Sequence, residues 1–203
     1  MGKIRIKLPL PYKCKKMTEP RTVNYSKTTI TELMIPAYAN FGGKIHGGIL
    51  LSMMDKVAYA CAAKHSGGYC VTVSVDNVDF KAPINVGELV SLAASVNYVG
   101  RSSLVIGIHV TAENIETGEQ KHTNTSYFTM VAKDKNGMTR EVPALVLESV
   151  EQIRRFMEAM KRKELKAQYK DEFDNEKSTI QATEHTELLE NERCVVKIGV
   201  LSN

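Results

Sequence analysis

The chain of 203 residues sets 27 Lys plus Arg against 23 Asp plus Glu, a net charge of +4, with 43% hydrophobic residues, a composition ordinary for one domain with an appendage. So mild an imbalance argues against a nucleic-acid partner but tolerates a modest anionic ligand, and Cys14, Cys61, Cys70 and Cys194 lack metal-ligand spacing and read as reduced thiols, with no metal expected. The basic start MGKIRIKLPLPYKCKK lacks the apolar core of a signal peptide and the Ser or Thr that myristoylation prefers, and the apolar run after Gly48 is broken by Asp55 and Lys56, so no membrane insertion is expected and the location expected is cytoplasmic.

Residues 1–24 mix Lys, Arg and Pro without periodicity and read as an arm. The β-branched run SKTTITELMI, Ser26 to Ile35, predicts a strand stopped by Pro36. Next, ANFGGKIHGGILLSMMDKVAYACAAKH joins a glycine-rich turn to a segment that is apolar from Ile49 to Ala63 except at Ser52, Asp55, Lys56 and Tyr59. Those four positions follow i, i+3, i+4, i+7, so the spacing predicts a buried helix with one polar stripe, closed by Gly67 and Gly68 as a left-handed cap.

Beyond that helix the period drops to two. Val71, Val73 and Val75 share one strand face and Val78 and Phe80 the other, which predicts a bulge near Asp76 and Asn77. APINVGE supplies a turn, and alternating strands follow at 90–98 and 104–110, joined through Gly100 and Arg101. Glu116, Thr117 and Gly118 turn the chain into a strand at 121–133, Asn136 and Gly137 make a tight turn, and a short strand at 139–142 ends before Pro143. Ser149 and Gln152 form a capping box for a helix with an apolar seam at Val146, Val150, Ile153, Met157 and Met160 and a solvated, mixed-charge remainder. The polar end holds one apolar stretch, RCVVKIGVL, readable as a stray edge strand.

The expected fold is α+β: an antiparallel sheet wrapped around one long central helix, with an extra C-terminal helix. The expected division is an arm at 1–24, the sheet-and-helix domain at 25–145, a C-terminal helix at 146–175 and a tail at 176–203 without assigned structure. Open sheet edges and apolar surface then predict self-association.

Chemistry concentrates at Asn40, Gly47, Gly48 and Asp55. A carboxylate on a buried helix is costly unless used or paired, so Asp55 reads either as a general base or nucleophile, or as a structural partner of Lys56 or of another chain's arginine. The amides of Gly47 and Gly48 open the helix and suit a developing oxyanion. Asn40 suits holding a water or a carbonyl, or simply forming a turn. His46 fits a hydrogen-bonding role at the helix start better than that of a base. Arg101, Ser102 and Ser103 offer a guanidinium, hydroxyls and backbone donors for phosphate groups, or form an ordinary solvent-facing hairpin turn.

Taken in order, NFGGKIHGGILLSMMD, VTVSVDNVDFKAPINVGELV, VGRSS and YFTMVAKDKNG resemble the hotdog-fold acyl-CoA hydrolases, specifically the cytosolic acyl-CoA thioesterase group with its brain-type enzyme and bacterial relatives. The resemblance spans about residues 26–143 and says nothing of either end. It implies hydrolysis of fatty acyl-CoA to free acid and CoA without metal or organic cofactor. It also implies that Asp55 acts as general base or nucleophile with Asn40 of a second subunit and that Gly48 or Gly47 holds the oxyanion; with a CoA ester as substrate, Arg101, Ser102, Ser103 and His46 are the residues expected, from their chemistry, to meet its CoA part. The implied assembly is a homodimer, built up as a trimer of dimers. The sequence departs from the family in His46, where many bacterial members have Phe, and in Pro-Ala-Tyr-Ala before Asn40. A binding protein that holds acyl-CoA without cleaving it is the alternative, though such proteins typically lack the helix carboxylate; a hotdog dehydratase would need a proline absent from KIHGGILL.

Overall fold

The computed structural model describes residues 19–180 together with Leu189, 192–195 and Lys197. The start of the arm, with Cys14, and most of the tail, including Val196 and 198–201 of RCVVKIGVL, lie outside the described residues. The chain divides into two compact units, one through Ala159 and one from Met160 onward.

The elements run β1 (Arg21–Thr22), α1 (Val23–Ser26), β2 (Thr28–Leu33), a 3-10 turn (Pro36–Tyr38), α2 (Gly47–Ser66), β3 (Cys70–Val75), β4 (Glu88–Val99), β5 (Ser103–Asn114), β6 (Gln120–Ala132), β7 (Leu145–Val146) and α3 (Val150–Thr179). Five strands form one antiparallel sheet in the order β2-β4-β5-β6-β3, with β2 and β3 at its edges. Alternation puts Val90, Leu92, Ala94 and Val96 of β4, Leu104, Ile106, Ile108 and Val110 of β5, and Phe128 and Met130 of β6 into the core. Against that face lies α2, burying Leu50, Met53, Met54, Val57, Ala58, Cys61, Ala62 and His65 at helical spacing. The helix thus belongs half to the core. Its predicted polar stripe, Ser52, Asp55, Lys56 and Tyr59, is exposed in the single chain, so Asp55 is not the buried carboxylate expected from the apolar run.

Local chemistry moved several boundaries. The first long strand begins at Thr28 rather than Ser26 because Thr22 caps the short α1, its Oγ1 accepting the Tyr25 N–H at 3.1 Å, and ends at Leu33 before Pro36 opens the 3-10 turn. The bulge expected near Asp76 and Asn77 sits between Thr72 and Ser74, where β3 gains a residue against β6, and β3 stops at Val75. The short strand expected at 139–142 is a single bridge, Lys133 to Thr139; β7 instead pairs in parallel with β1, inside the segment read as an arm.

In the first unit, α3 starts at Val150 with the expected cap: the Gln152 N–H donates to Ser149 Oγ at 3.2 Å, and the Glu148 N–H donates to Gln152 Oε1 at 2.7 Å. Its packed residues there are Phe156, whose ring stands 5.0 Å from that of Tyr98, and Ala159; Val150, Ile153 and Met157 of the expected seam are exposed. In the second unit α3 continues as a polar helix, with Lys161 and Glu164 paired at 3.1 Å. No helix among the described residues is long and apolar enough to cross a membrane.

Candidate active site

Two elements flank the start of α2. The first is the turn at Asn40, pinned by four hydrogen bonds. Asn40 N–H donates to the Lys44 carbonyl (2.7 Å) and its own carbonyl accepts the Gly43 N–H (3.0 Å), while Oδ1 accepts the Gly42 N–H (2.9 Å) and the Lys44 N–H (3.2 Å). Two backbone donors on one atom identify that atom as the amide oxygen. Asn40 is therefore the turn former that its type suggests, with its side-chain NH2 still free to donate to a ligand.

The second is His46, the N-cap of α2, whose Nδ1 accepts the Gly48 N–H at 2.9 Å. The helix-start role for His46 is thus observed, and it changes the accounting of donors. Of the two glycine amides considered for an oxyanion, that of Gly48 is engaged, whereas that of Gly47 has no acceptor among the described residues. Glycine at 47 has a steric reason: a Cβ there would lie 3.2 Å from the Phe80 ring.

Asp55 follows Gly47 by about 12 Å along the helix axis. Its Oδ1 accepts a hydrogen bond from Thr72 Oγ1 at 2.5 Å, the short range of a hydroxyl bound to a carboxylate. Thr72 opens the β3 bulge, and its Oγ1 also lies 3.2 Å from Met130 Sδ, a much weaker acceptor. One carboxylate oxygen is therefore fixed from the sheet while the other remains for chemistry. Sequence reading missed Thr72; its signal was a polar residue between Val71 and Val73 on the strand after the carboxylate's helix.

No contact among the described residues joins Asn40 to Asp55 within the chain. Nor do Arg101, Ser102 and Ser103 reach either residue. Ser103 and Val71 pair with opposite sides of Val131, which sets the 100–103 turn about 10 Å across the sheet from the start of β3. Among the described residues the Arg101 guanidinium and the Ser102 and Ser103 hydroxyls make no hydrogen bond, so this turn is a set of open donors. A groove of about 440 Å³ on the sheet face away from α2, lined by Lys27, His109, Thr125 and Arg155 among others, includes none of these residues. No cluster of His, Cys, Asp or Glu among the described residues has the makings of a metal site.

Residues 42–119 match the family model of the thioesterase superfamily. The acyl-CoA thioester hydrolase YkhA of Bacillus subtilis, itself uncharacterised, is 38% identical over 135 residues, 66% of this chain and 78% of that protein. The chain belongs to the hotdog-fold acyl-CoA hydrolase family. As a member it is a thioester hydrolase, which removes the non-catalytic and dehydratase alternatives. Among solved structures, an apo-hexameric acyl-CoA thioesterase is 35% identical with a TM-score of 0.73, the match covering 75% of this chain and 97% of that one. The Staphylococcus aureus acyl-CoA hydrolase, solved with butyryl-CoA and CoA, is 27% identical with a TM-score of 0.70, covering 78% of this chain and 96% of that one. Variants of that hydrolase replace by Ala an Asp and a Thr seventeen residues further on. Asp55 and Thr72 of this hotdog hydrolase are separated by the same interval.

Proposed function

We propose that this hydrolase cleaves fatty acyl-CoA thioesters to the free acid and CoA in the cytoplasm, with Asp55 as the carboxylate that activates water or attacks the thioester carbon. The observation that carries the reading is the 2.5 Å hydrogen bond from Thr72 to Asp55, made at a spacing also found in the S. aureus hydrolase. Thr72 orients the carboxylate through one oxygen and keeps the other for proton transfer or attack. Because Gly47 stands about 12 Å from Asp55 of its own chain, the Gly47 N–H of a second copy, at the positive end of that copy's α2, is the donor for the oxyanion that forms as the thioester carbonyl becomes tetrahedral. Gly48 joins only if His46 releases it.

Asn40 supplies its NH2 group to the attacking water or the thioester oxygen. The chain does not bring it to its own Asp55, so the reading requires Asn40 from a second copy; the hexameric state of a 35% identical relative supports such an assembly, with a homodimer as the minimal unit and a trimer of dimers as the larger one. The open donors of Arg101, Ser102 and Ser103 suit the phosphates of CoA, and the Nε2 of His46 remains for the same ligand. The steps need only the chain, water and substrate, so no metal or organic cofactor enters.

CoA release across a series of acyl-CoA chain lengths, followed with a thiol-reactive chromophore, tests the assignment. Asp55→Asn should lower kcat by about 10²–10⁴-fold with little change in KM. Turnover undiminished in that variant would remove Asp55 from the chemistry. Asn40→Ala and Asp55→Asn, each inactive, should regain part of the activity when mixed and reassembled.

A further inference from the structure

Phe41 has an environment that nothing in its own chain explains. The residue is 115% exposed relative to a free reference, which leaves its ring uncovered. A large apolar side chain left fully in water forgoes about 1.5–3 kcal/mol of burial. The ring does not fold back onto its own core, because the turn that carries it is fixed by the four hydrogen bonds around Asn40. A rigid turn therefore holds a phenylalanine outward, one residue from the Asn40 side chain.

A second exposed apolar group surrounds Asp55. One turn to either side of it on α2 stand Leu51 and Tyr59, and the adjoining bulge in β3 exposes Val73 at 62%. The Tyr59 ring is 6.2 Å from that of Tyr69, which is also exposed. Asp55, with Ser52 and Lys56 of the polar stripe beside it, thus stands among apolar groups that a single chain leaves wet, next to the open edge of β3. Each half of the proposed site carries its own exposed apolar feature, and the two halves do not meet within one chain.

We propose that Phe41 is the anchor that seats the Asn40 turn of one copy on the Leu51–Tyr59–Val73 rim around Asp55 of a second copy. This inference rests on the catalytic reading of Asn40 and Asp55 and adds the residue that brings them together. A two-fold arrangement satisfies both rims at once, since each copy offers one Phe41 and one rim. Seating an aromatic ring beside the carboxylate also excludes water from its surroundings, as the apolar collar of an interface hot spot does. The occupant is a second copy of the chain, because the ring adjoins Asn40 and the rim adjoins Asp55, the two residues that a single chain keeps apart, and a 35% identical relative is hexameric.

The chain contains no tryptophan, so Phe41→Trp introduces a single indole reporter. Its emission should move to shorter wavelength, and acrylamide quenching should weaken, as the protein is concentrated from dilute to assembled without substrate. Emission that stays solvent-like in the assembled protein overturns the anchor. So does a shift that appears only on adding acyl-CoA, which would make the substrate the cover. Phe41→Ala provides a second reading by sedimentation equilibrium: self-association about 10–100-fold weaker is expected from the burial lost, and an unchanged constant overturns the proposal. Asp55→Asn separates this from the catalytic reading. Full turnover in that variant would remove the catalytic basis on which the anchor rests, whatever the indole shows, whereas a shift in Phe41→Trp alongside an inactive Asp55→Asn supports both.

Discussion

The two ends of α2 are built on opposite plans. At the C-terminal end nearly every polar group is closed off. Gly67 provides the left-handed cap at φ 73°, Arg21 donates to the carbonyls of Lys64 and His65 at 2.7 Å each, and Arg140 donates to that of Ser66 at 2.7 Å. His65 is fully buried between Ser26 Oγ and the Pro143 carbonyl, each at 3.2 Å, and burial pushes the neighbouring Cys61 thiol up to about 12, far from reactivity. Toward the other end the Gly47 amide, the Asn40 NH2 and, about two turns further along, one Asp55 oxygen are left open. Paired groups at one end hold the helix in register, and that rigidity is what permits unpaired groups at the other to face a ligand without relaxing onto one another.

Substitutions at the two ends should therefore separate activity from stability. Thr72→Ala is expected to lower kcat by about 10–100-fold, roughly 1.4–2.7 kcal/mol of transition-state stabilisation, because Asp55 loses its orienting hydroxyl. Thr72 is exposed, so the thermal midpoint should scarcely move, and Thr72→Ser should restore turnover. Loss of stability in step with activity would mean that the hydrogen bond serves the fold instead. Arg21→Ala inverts the pattern. Removing a cation that bonds two C-terminal carbonyls should cost about 1.5–3 kcal/mol, read as a melting point lower by about 3–12 °C for a chain of this size, with kcat kept.

Proton linkage probes the closed end without removing a side chain. The Pro143 carbonyl can only accept, so His65 carries its proton on Nε2, and Nδ1 accepts from Ser26. Burial first, and the Arg21 cation with it, hold this imidazole below its ordinary value of 6.5, although the Pro143 bond works the other way. The unfolded chain takes up a proton near pH 6.5 that the folded chain refuses. Stability from this residue is complete above pH 6.5 and falls as pH drops, by at most about 1.4 kcal/mol per unit, until the folded value is reached. His109 is lowered too, first by burial and then by the charges of His122 and Arg155, and adds to the slope. Denaturant midpoints between pH 7.5 and 5.5 should thus decline less steeply in His65→Gln than in the wild type; equal slopes would exclude His65 as a source.

The sequence made one class of feature readable and hid another. Periodicity found α2, its stripe of Ser52, Asp55, Lys56 and Tyr59, and the core faces of β4 and β5, because each is a repeated response to burial. The capping box at Ser149 and the cap at Gly67 were readable because they depend on nearest neighbours. Thr72 was not, since its value lies in a bulge whose position depends on how β3 pairs with β6, a partner more than fifty residues away. The parallel pairing of β1 with β7 was hidden for the same reason: two residues on each side carry no period. The exposure of Asp55 also escaped, because an apolar run does not reveal which of its faces lacks a cover within one chain.

His46 gives the smallest expected effect and the sharpest contrast with His65. Both are histidines accepting through Nδ1 at an end of the same helix, but His46 is exposed and accepts a single Gly48 amide. Losing a side-chain cap costs about 0.5–2 kcal/mol in general, and exposure places His46→Ala toward the lower bound, about 0.5–1 kcal/mol, since water replaces the acceptor. His46→Asn, which retains a capping oxygen, should recover most of that loss in thermal melts. If His46→Asn were as unstable as His46→Ala, the imidazole would be holding more than the Gly48 amide, and the open end of α2 would be less free of structural duty than its exposed groups indicate.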